Sequence, residues 1–490
     1  MKKHPVIPCI TIVIVILCVA GCALGPDYKR PSVPMSDSFK ELDEWKKAEP
    51  GDALPKGQWW TVFNDPVLSG LIEQVNVSNQ TIIQAEAQFR QAVAAYRVAR
   101  AGLFPLLTGG ASYTRSLRSA TFSQGQVSGG ASQVTGNTQV TGGTPLTDYN
   151  LPVDLSWEAD VWGRIRRSVE ADRENARATS ADLEAACLSA QATLAQSYFQ
   201  LRTVDTQVQL FTESVKAYED ALKLTQNRFA SGVAGRADVV QAEIQLSSTR
   251  AQLVELGVQR AQLEHAIAVL TGRPPADVTL PSSSLDAVPP PIPVGIPSEL
   301  LERRPDVAAA ERRVAAANAQ IGAAKAAFFP RIILTASAGY QSSDLSQWLT
   351  WPSHYWSIGP ALTQTLFAGG SLFALADEAR AAYDASVAFY RETVLNAFKD
   401  VEDNLAALRI LEKESEAQDD AVRAAQEFLK ITNNQYREGI VSYLNVVIAQ
   451  TALKTNQRTA VDISGRRMVA AVLLIKAVGG GWSMTYPPRP

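Results

Sequence analysis

The residues on which chemistry could draw are few and scattered. His4, His265 and His354 are the only histidines in 490 residues; they lie far apart and form no HExxH pair that could hold a metal from one helix face. Cys9, Cys18, Cys22 and Cys187 lack paired metal-site spacing, and no nucleophile has an evident histidine partner. The reading is therefore no enzyme, no metal and no cofactor. One constellation remains. Asp154, Glu158 and Asp160, with Pro152 and Ser156, alternate with Leu151, Val153, Leu155, Trp157, Ala159 and Val161. A period of two puts the acids on one face of a strand and the apolar side chains on the other. Which elements position that face decides what it can do.

Composition narrows the classes. There are 46 basic against 49 acidic residues, a net charge of −3, and no basic cluster to follow a phosphate backbone, so nucleic acid is not an expected partner. Hydrophobic residues make up 46% and charged residues 19%, which excludes a disordered polyelectrolyte. Lys2 and Lys3 precede an apolar run from Val6 to Ala20 that meets Gly21 and Cys22, the layout of a secretory signal. The run is shorter than the roughly 20 residues of a spanning helix. Val19-Ala20-Gly21-Cys22 resembles a bacterial lipobox, which implies acylation of Cys22 as the mature N-terminus; two or more acyl chains anchor stably where one does not. Ala23, where an aspartate is absent, resembles lipoproteins sent to the outer membrane. Cys187 falls in a helical run and reads as a packing residue.

The elements come in two copies. NRFASG at Asn227–Gly232 and NQYREG at Asn434–Gly439 are 207 residues apart, and the same offset relates Gly163 to Gly370 and Leu201-Arg202 to Leu408-Arg409. Ala85-Glu86 and Phe104-Pro105 match Ala310-Glu311 and Phe329-Pro330 at an offset of 225. Each copy holds a glycine- and proline-free stretch, residues 164–231 and 371–438, long enough for a helix of roughly 100 Å at about 1.5 Å per residue. Leu194, Tyr198, Leu201, Val204, Val208, Phe211, Val215, Tyr218, Leu222, Thr225 and Phe229 recur with a mean step of 3.5, a left-handed coiled-coil stripe. The equivalent row from Val401 to Tyr436 is weakened by Ser415 and Gln418. Return helices are expected over 236–271 and 443–478, with further helices over 67–102 and 297–328, stacked end to end on the return arms to match the long ones.

Between each Phe-Pro landmark and the next glycine the period becomes two. Strands are expected near Leu107–Leu117, Leu151–Val161, Ile332–Tyr340 and Trp356–Leu366, with Tyr340, Trp348, Trp351, Tyr355 and Trp356 as an aromatic girdle. Four strands cannot close a membrane barrel, since known ones start at eight, and open edges are not tolerated in lipid. Strands must then be pooled across copies: two copies make a barrel too narrow for a passage, and three make twelve strands with room for one. The uncharged Gly/Ser/Thr/Gln-rich residues 119–147 read as a long exterior loop.

Several motifs together carry a resemblance: GCALGPDYKRP from Gly21, QWWTVFNDPVLSGLI from Gln58, WEADVWGR from Trp157, SELLERRPDVAAAER from Ser298, AAFFPRI from Ala326 and GGGW at 479–482. In these the chain resembles TolC-type outer-membrane efflux channels, in the lipoprotein branch that serves tripartite drug pumps. The resemblance implies a membrane α+β fold: a homotrimer with a twelve-stranded outer-membrane β-barrel, four strands per protomer. A long α-helical periplasmic barrel and an equatorial mixed belt would complete it. It also implies a periplasmic adaptor and an inner-membrane pump as partners, besides outer-membrane lipid. The chain then divides into a signal peptide (1–21), an acylated and equatorial segment (22–65), repeat 1 (66–275, β-hairpin 106–162), a proline-rich equatorial linker (276–297), repeat 2 (298–478, β-hairpin 331–366) and a tail (479–490).

In such channels helix hairpins close the periplasmic tip. Carried over, the tips are Gly232–Asp238 and Gly439–Asn445. Asn445 and Ile448 stand where family members often carry aspartates, so closure is expected from apolar contacts near Ile448 and Tyr436 rather than from an anionic ring. Asp238 keeps a carboxylate, but an isolated acid at a helix start is more often a cap or dipole partner. Asp154, Glu158 and Asp160 are expected to face the barrel lumen. The function implied is passive export of small toxic compounds; the alternatives are a type I protein secretion duct and, lower, a trimeric coiled-coil adhesin, which would lack the returning arms.

Overall fold

The computed structural model describes residues 23–33, 39–42, 58–117, 145–285, 287–290 and 304–480. Cys22, most of the 119–147 segment, residues 291–303 of the linker and following helix, and the tail from 481 lie outside them. Seven α-helices are described: α1 Pro66–Ser78, α2 Gln80–Ala101, α3 Arg164–Ala230, α4 Arg236–Leu270, α5 Pro305–Ala326, α6 Ser371–Arg437 and α7 Tyr443–Ala477. The long helices α3 and α6 have 67 residues each and the return helices α4 and α7 have 35 each. Five strands, β1 Leu106–Gly109, β2 Ser112–Ser116, β3 Leu146–Ala159, β4 Arg331–Ser342 and β5 His354–Thr363, form one antiparallel sheet.

The chain divides into two compact units. The first (up to 29, 93–174 and 315–384) contains the whole sheet and the adjoining helix ends. Its strand order is β1-β3-β4-β5, with β2 also on β3, so the β1/β2 line and β5 form its edges. The expected single first strand is interrupted. Leu106–Gly109 and Ser112–Ser116 pair with β3 in the same register, and the gap faces Pro152, which has no N–H to offer the ladder and only accepts from Gly110 N at 3.0 Å. On its other side Pro152 pairs with Gly339, where an added Cβ would lie 2.2 Å from the Leu151 carbonyl oxygen. Only a residue without a side chain fits there.

The second unit (30–92, 175–314 and 385 onward) is helical. Trp59, Trp60, Phe63, Leu68 and Ile72 pack with Tyr198, Phe199 and Leu201 of α3, Val401, Leu405 and Leu408 of α6, and Ile463, Met468 and Leu474 of α7 in one buried cluster. The 3.5-residue stripe of α3 is what turns inward. Leu194, Tyr198, Leu201, Val204, Phe211, Tyr218 and Thr225 are buried, and the row surfaces at Phe229. On α6 the polar Gln418 is accommodated by Asn456 of α7, whose backbone and side-chain oxygens accept from its amide at 3.0 and 2.9 Å.

Two helix expectations need correction. The run 67–102 is two helices, because Asn79 leaves the helical backbone with ψ of 122°. Its side-chain oxygen accepts from Thr81 N and Ile82 N, capping α2, while its amide donates to the Leu270 carbonyl at 2.7 Å. The run 297–328 is helical from Pro305 to Ala326 among the described residues, so the end-to-end length match depends on residues outside them.

Candidate functional site

The sheet register assigns two faces. Asp154 pairs with Thr108 and Ser337, Ser156 with Thr335, and Ser337 with Ser357, which makes one face hydroxyl- and carboxylate-rich. Val153, Leu155 and Trp157 share the other face with Ala338, Ala336 and Leu334, and through β4 with Trp356, Ile358 and Pro360. Among the described residues this apolar face is exposed: Trp356 is 71% exposed and Ile358 75%. An exposed contiguous apolar surface of this kind needs a non-aqueous neighbour. Tyr355, expected in the girdle, is instead on the polar face, where its hydroxyl donates to Asn150 Oδ1 at 3.2 Å; it alternates with Trp356 and the two cannot share a side.

The three acids separate. Asp154 is exposed on the polar face. Glu158 receives Arg164 Nε at 3.0 Å and Nη2 at 2.9 Å, a bidentate clamp at the junction of β3 with α3. Asp160 lies past the end of β3, and its carboxylate accepts from Ile165 N at 3.0 Å and Arg166 N at 2.8 Å. A negative charge on the first free N–H groups of a helix is a cap, so Asp160 is occupied by α3 rather than presented to an open space. Gly163, between them, has a φ of 77° and leaves no room for a Cβ beside Ala23, whose Cα would be 2.9 Å away.

At the hairpin ends, Gly232 and Gly439 adopt φ of 70° and 77° and reverse the chain, with Val233 N bonded to Arg228 O and Ile440 N to Gln435 O. Asp238 accepts from Gly235 N at 3.2 Å, which is a capping arrangement. Tyr436 is buried. It packs with Ala242, Tyr443 and Val446, its ring centroid 5.5 Å from that of Tyr443 and 4.6 Å below the Arg228 guanidinium. Burial, together with Tyr436, Tyr218 and Asp238 nearby, pushes the Tyr443 phenol up to about 12. Ile448, half exposed, and the exposed Asn445 do not join this seam.

Sequence reasoning missed Arg228 and Tyr443. Their registers in the other copy hold Gln435 and Arg236, so comparison of the two copies shows only unlike residues. It also missed Lys454 on α7, which donates to Leu210 O and Ser214 Oγ of α3 over the Phe211 ring at 3.9 Å. Burial pulls its pKa down to about 8, against an opposing pull from Glu213. Asp205, buried and paired with the buried Arg202 and the partly buried Arg260, helps those arginines hold the start of the proline-rich segment: Arg260 donates to Leu280 O and Arg202 to Pro281 O. No cluster of metal ligands and no helix long and apolar enough to cross a membrane occurs among the described residues.

The described residues form a mostly helical chain with one two-faced sheet whose apolar side is exposed, an α+β layout. The chain belongs to the outer membrane efflux protein family, whose model matches residues 71–273 and 296–480. It is similar to the probable efflux pump outer membrane protein TtgC of Pseudomonas putida, 33% identical over 468 residues that cover 95% of this chain and 93% of that protein. It is also similar to the cation efflux system protein CusC of Escherichia coli K12, 32% identical over 470 residues covering 95% and 98%. The outer-membrane channel OprN superposes with a TM-score of 0.84 at 28% identity, over 94% of this chain and all of that one.

Proposed function

We propose that this chain is the outer-membrane channel of a tripartite efflux pump and passively exports small toxic compounds from periplasm to exterior. One observation carries the reading: a chain that aligns along almost its whole length with efflux-pump outer-membrane proteins presents a sheet with an uncovered apolar face and unsatisfied edges. Three copies joined edge to edge supply twelve strands, enough for a water-filled barrel in lipid. Asp154 and its hydroxyl neighbours line that lumen. The hairpins Gly232–Asp238 and Gly439–Asn445 form the periplasmic end, where an adaptor protein from the inner-membrane pump docks. Acyl chains on Cys22 add a lipid anchor. Nothing in this role needs a catalytic residue or cofactor. Relatives of similar identity carry names for toluene efflux and for cation efflux, which supports a reading in which substrate choice lies in the pump.

Deletion of the gene, followed by a panel of antibiotic, dye, solvent and metal sensitivities, tests the reading, with affinity purification of the adaptor alongside. Increased sensitivity to at least one class is expected. Unchanged tolerance together with accumulation of an unsecreted protein would establish type I secretion instead.

A further inference from the structure

We propose that the loop between β4 and β5, residues 343–353, is a lipid-seated anchor at the rim of the bilayer and not a lid over the passage. The inference rests on the barrel reading above, and concerns the sheet end farthest from the helices.

Its two tryptophans fold onto the apolar face. Trp348 lies with its ring 5.7 Å from Tyr149 and donates its indole N–H to the Tyr340 carbonyl at 3.2 Å. Tyr149 in turn lies 5.0 Å from Tyr113, its cross-strand partner. Trp351 stacks on His354 at 4.3 Å and 20°, and His354 pairs with Tyr340 two residues from Trp356. Tyr113, Tyr149, Tyr340, His354 and Trp356 all alternate onto the face that carries Val153 and Leu334. The result is a band of rings across β2, β3, β4 and β5 at the loop end of the sheet, between the levels of Ser342 and Ala338; amphipathic aromatic side chains settle between acyl chains and headgroups.

The loop is built to hold this pose. Asp344 accepts from Ser346 N at 2.9 Å, and the hydroxyls of Thr350 and Ser353 both donate to Gln347 O, at 2.6 and 2.8 Å. Leu345, Leu349 and Trp351 nevertheless stay more than half exposed, with Trp351 at 74%. A loop that spends its polar groups internally and turns leucine and tryptophan outward is poorly suited to water. Arg115, one outward step past Tyr113 on β2, stands where a guanidinium on an apolar stem reaches lipid phosphate. A lid would need its rings on the opposite face, beside Tyr355.

The test is fluorescence quenching of the full chain in phosphatidylcholine vesicles brominated near the headgroup or deep in the acyl chain. Three variants are compared with the parent, Trp351→Phe, Leu349→Trp and Ile358→Trp. The anchor predicts that Trp351→Phe loses part of the quenching by shallow bromines and that Leu349→Trp gains it, while Ile358→Trp gains quenching by deep bromines. If Trp351→Phe instead loses only quenching by acrylamide in water, and Leu349→Trp gains only that, with Ile358→Trp still sensing deep bromines, the loop faces solvent and the anchor is overturned while the barrel stands. If Ile358→Trp senses no bromine either, the barrel reading falls and the anchor with it.

Discussion

Charged side chains in this protein act mainly on backbone ends and on one another, and their roles depend on a residue or two of position. Asp160 is the clearest case: one strand step beyond Glu158, it has left the sheet and caps α3 through Ile165 N and Arg166 N. Asp160→Ala should cost about 1 kcal/mol, the usual worth of such a cap, read as a lower thermal midpoint in helical circular dichroism. Asp154→Ala, on the polar face, should leave that midpoint unchanged. Lys454 makes a pH-dependent contribution. With its folded pKa near 8 and an ordinary value of 10.5, both states hold the proton below about pH 8 and the burial penalty is complete. As pH rises between those values the folded chain releases the proton while the unfolded chain keeps it, so stability increases with pH across that window. Comparing the pH dependence of the midpoint in the parent and in Lys454→Met isolates this term; the variant should lose that rise, and an identical slope in both would show that the ammonium is not held as described.

The elements were legible where a single period ran unbroken. The α3 stripe from Leu194 to Thr225 was visible because each step lands on the same helix face, and the faces of β3 were visible because acids and aliphatics alternate strictly. Interruptions were harder to see. Asn79 sits inside a run with helical spacing, and nothing local announces that its amide is needed 191 residues away by the carbonyl of Leu270. Pro152 could be seen in the alternating run, but its effect falls on β1 and β2, whose weak pattern gave no register. Composition groups Tyr355 with its aromatic neighbours, although the period of two separates it from Trp356. The Asn79 joint is open to test. Asn79→Ala removes a buried side chain that satisfies two N–H groups and one carbonyl, so a loss of about 1–3 kcal/mol is expected. Asn79→Ser keeps a capping oxygen and gives up the amide that reaches Leu270, and should fall between the parent and Asn79→Ala; chemical denaturation measures the order.

Among the described residues the four strand lines leave two ladder edges unpaired, and the hairpin ends expose Val233, Ile440 and Ile448. Both features are explained together if copies assemble around an axis: the edges pair, and the tip residues converge. A threefold mass in mild detergent by light scattering is the simplest check, and a compact monomer would defeat the proposed duct. The gate follows from the same symmetry. Tyr436 is already committed to Tyr443 of its own hairpin and to Arg228 of the other, so in the proposed duct closure between copies would fall to the exposed residues of the tip, Ile448 among them. In a threefold arrangement each tip residue is present three times, and a ring of carboxylates there would concentrate cations at the constriction. This chain has Asn445 and Ile448 instead. Single-channel current in planar bilayers should therefore be insensitive to millimolar divalent cations, whereas Asn445→Asp with Ile448→Asp should bring strong, voltage-dependent block that salt weakens by screening. Block of the parent channel at those concentrations would show that carboxylates elsewhere, Asp238 first among them, already ring the opening, and the apolar gate would have to be given up.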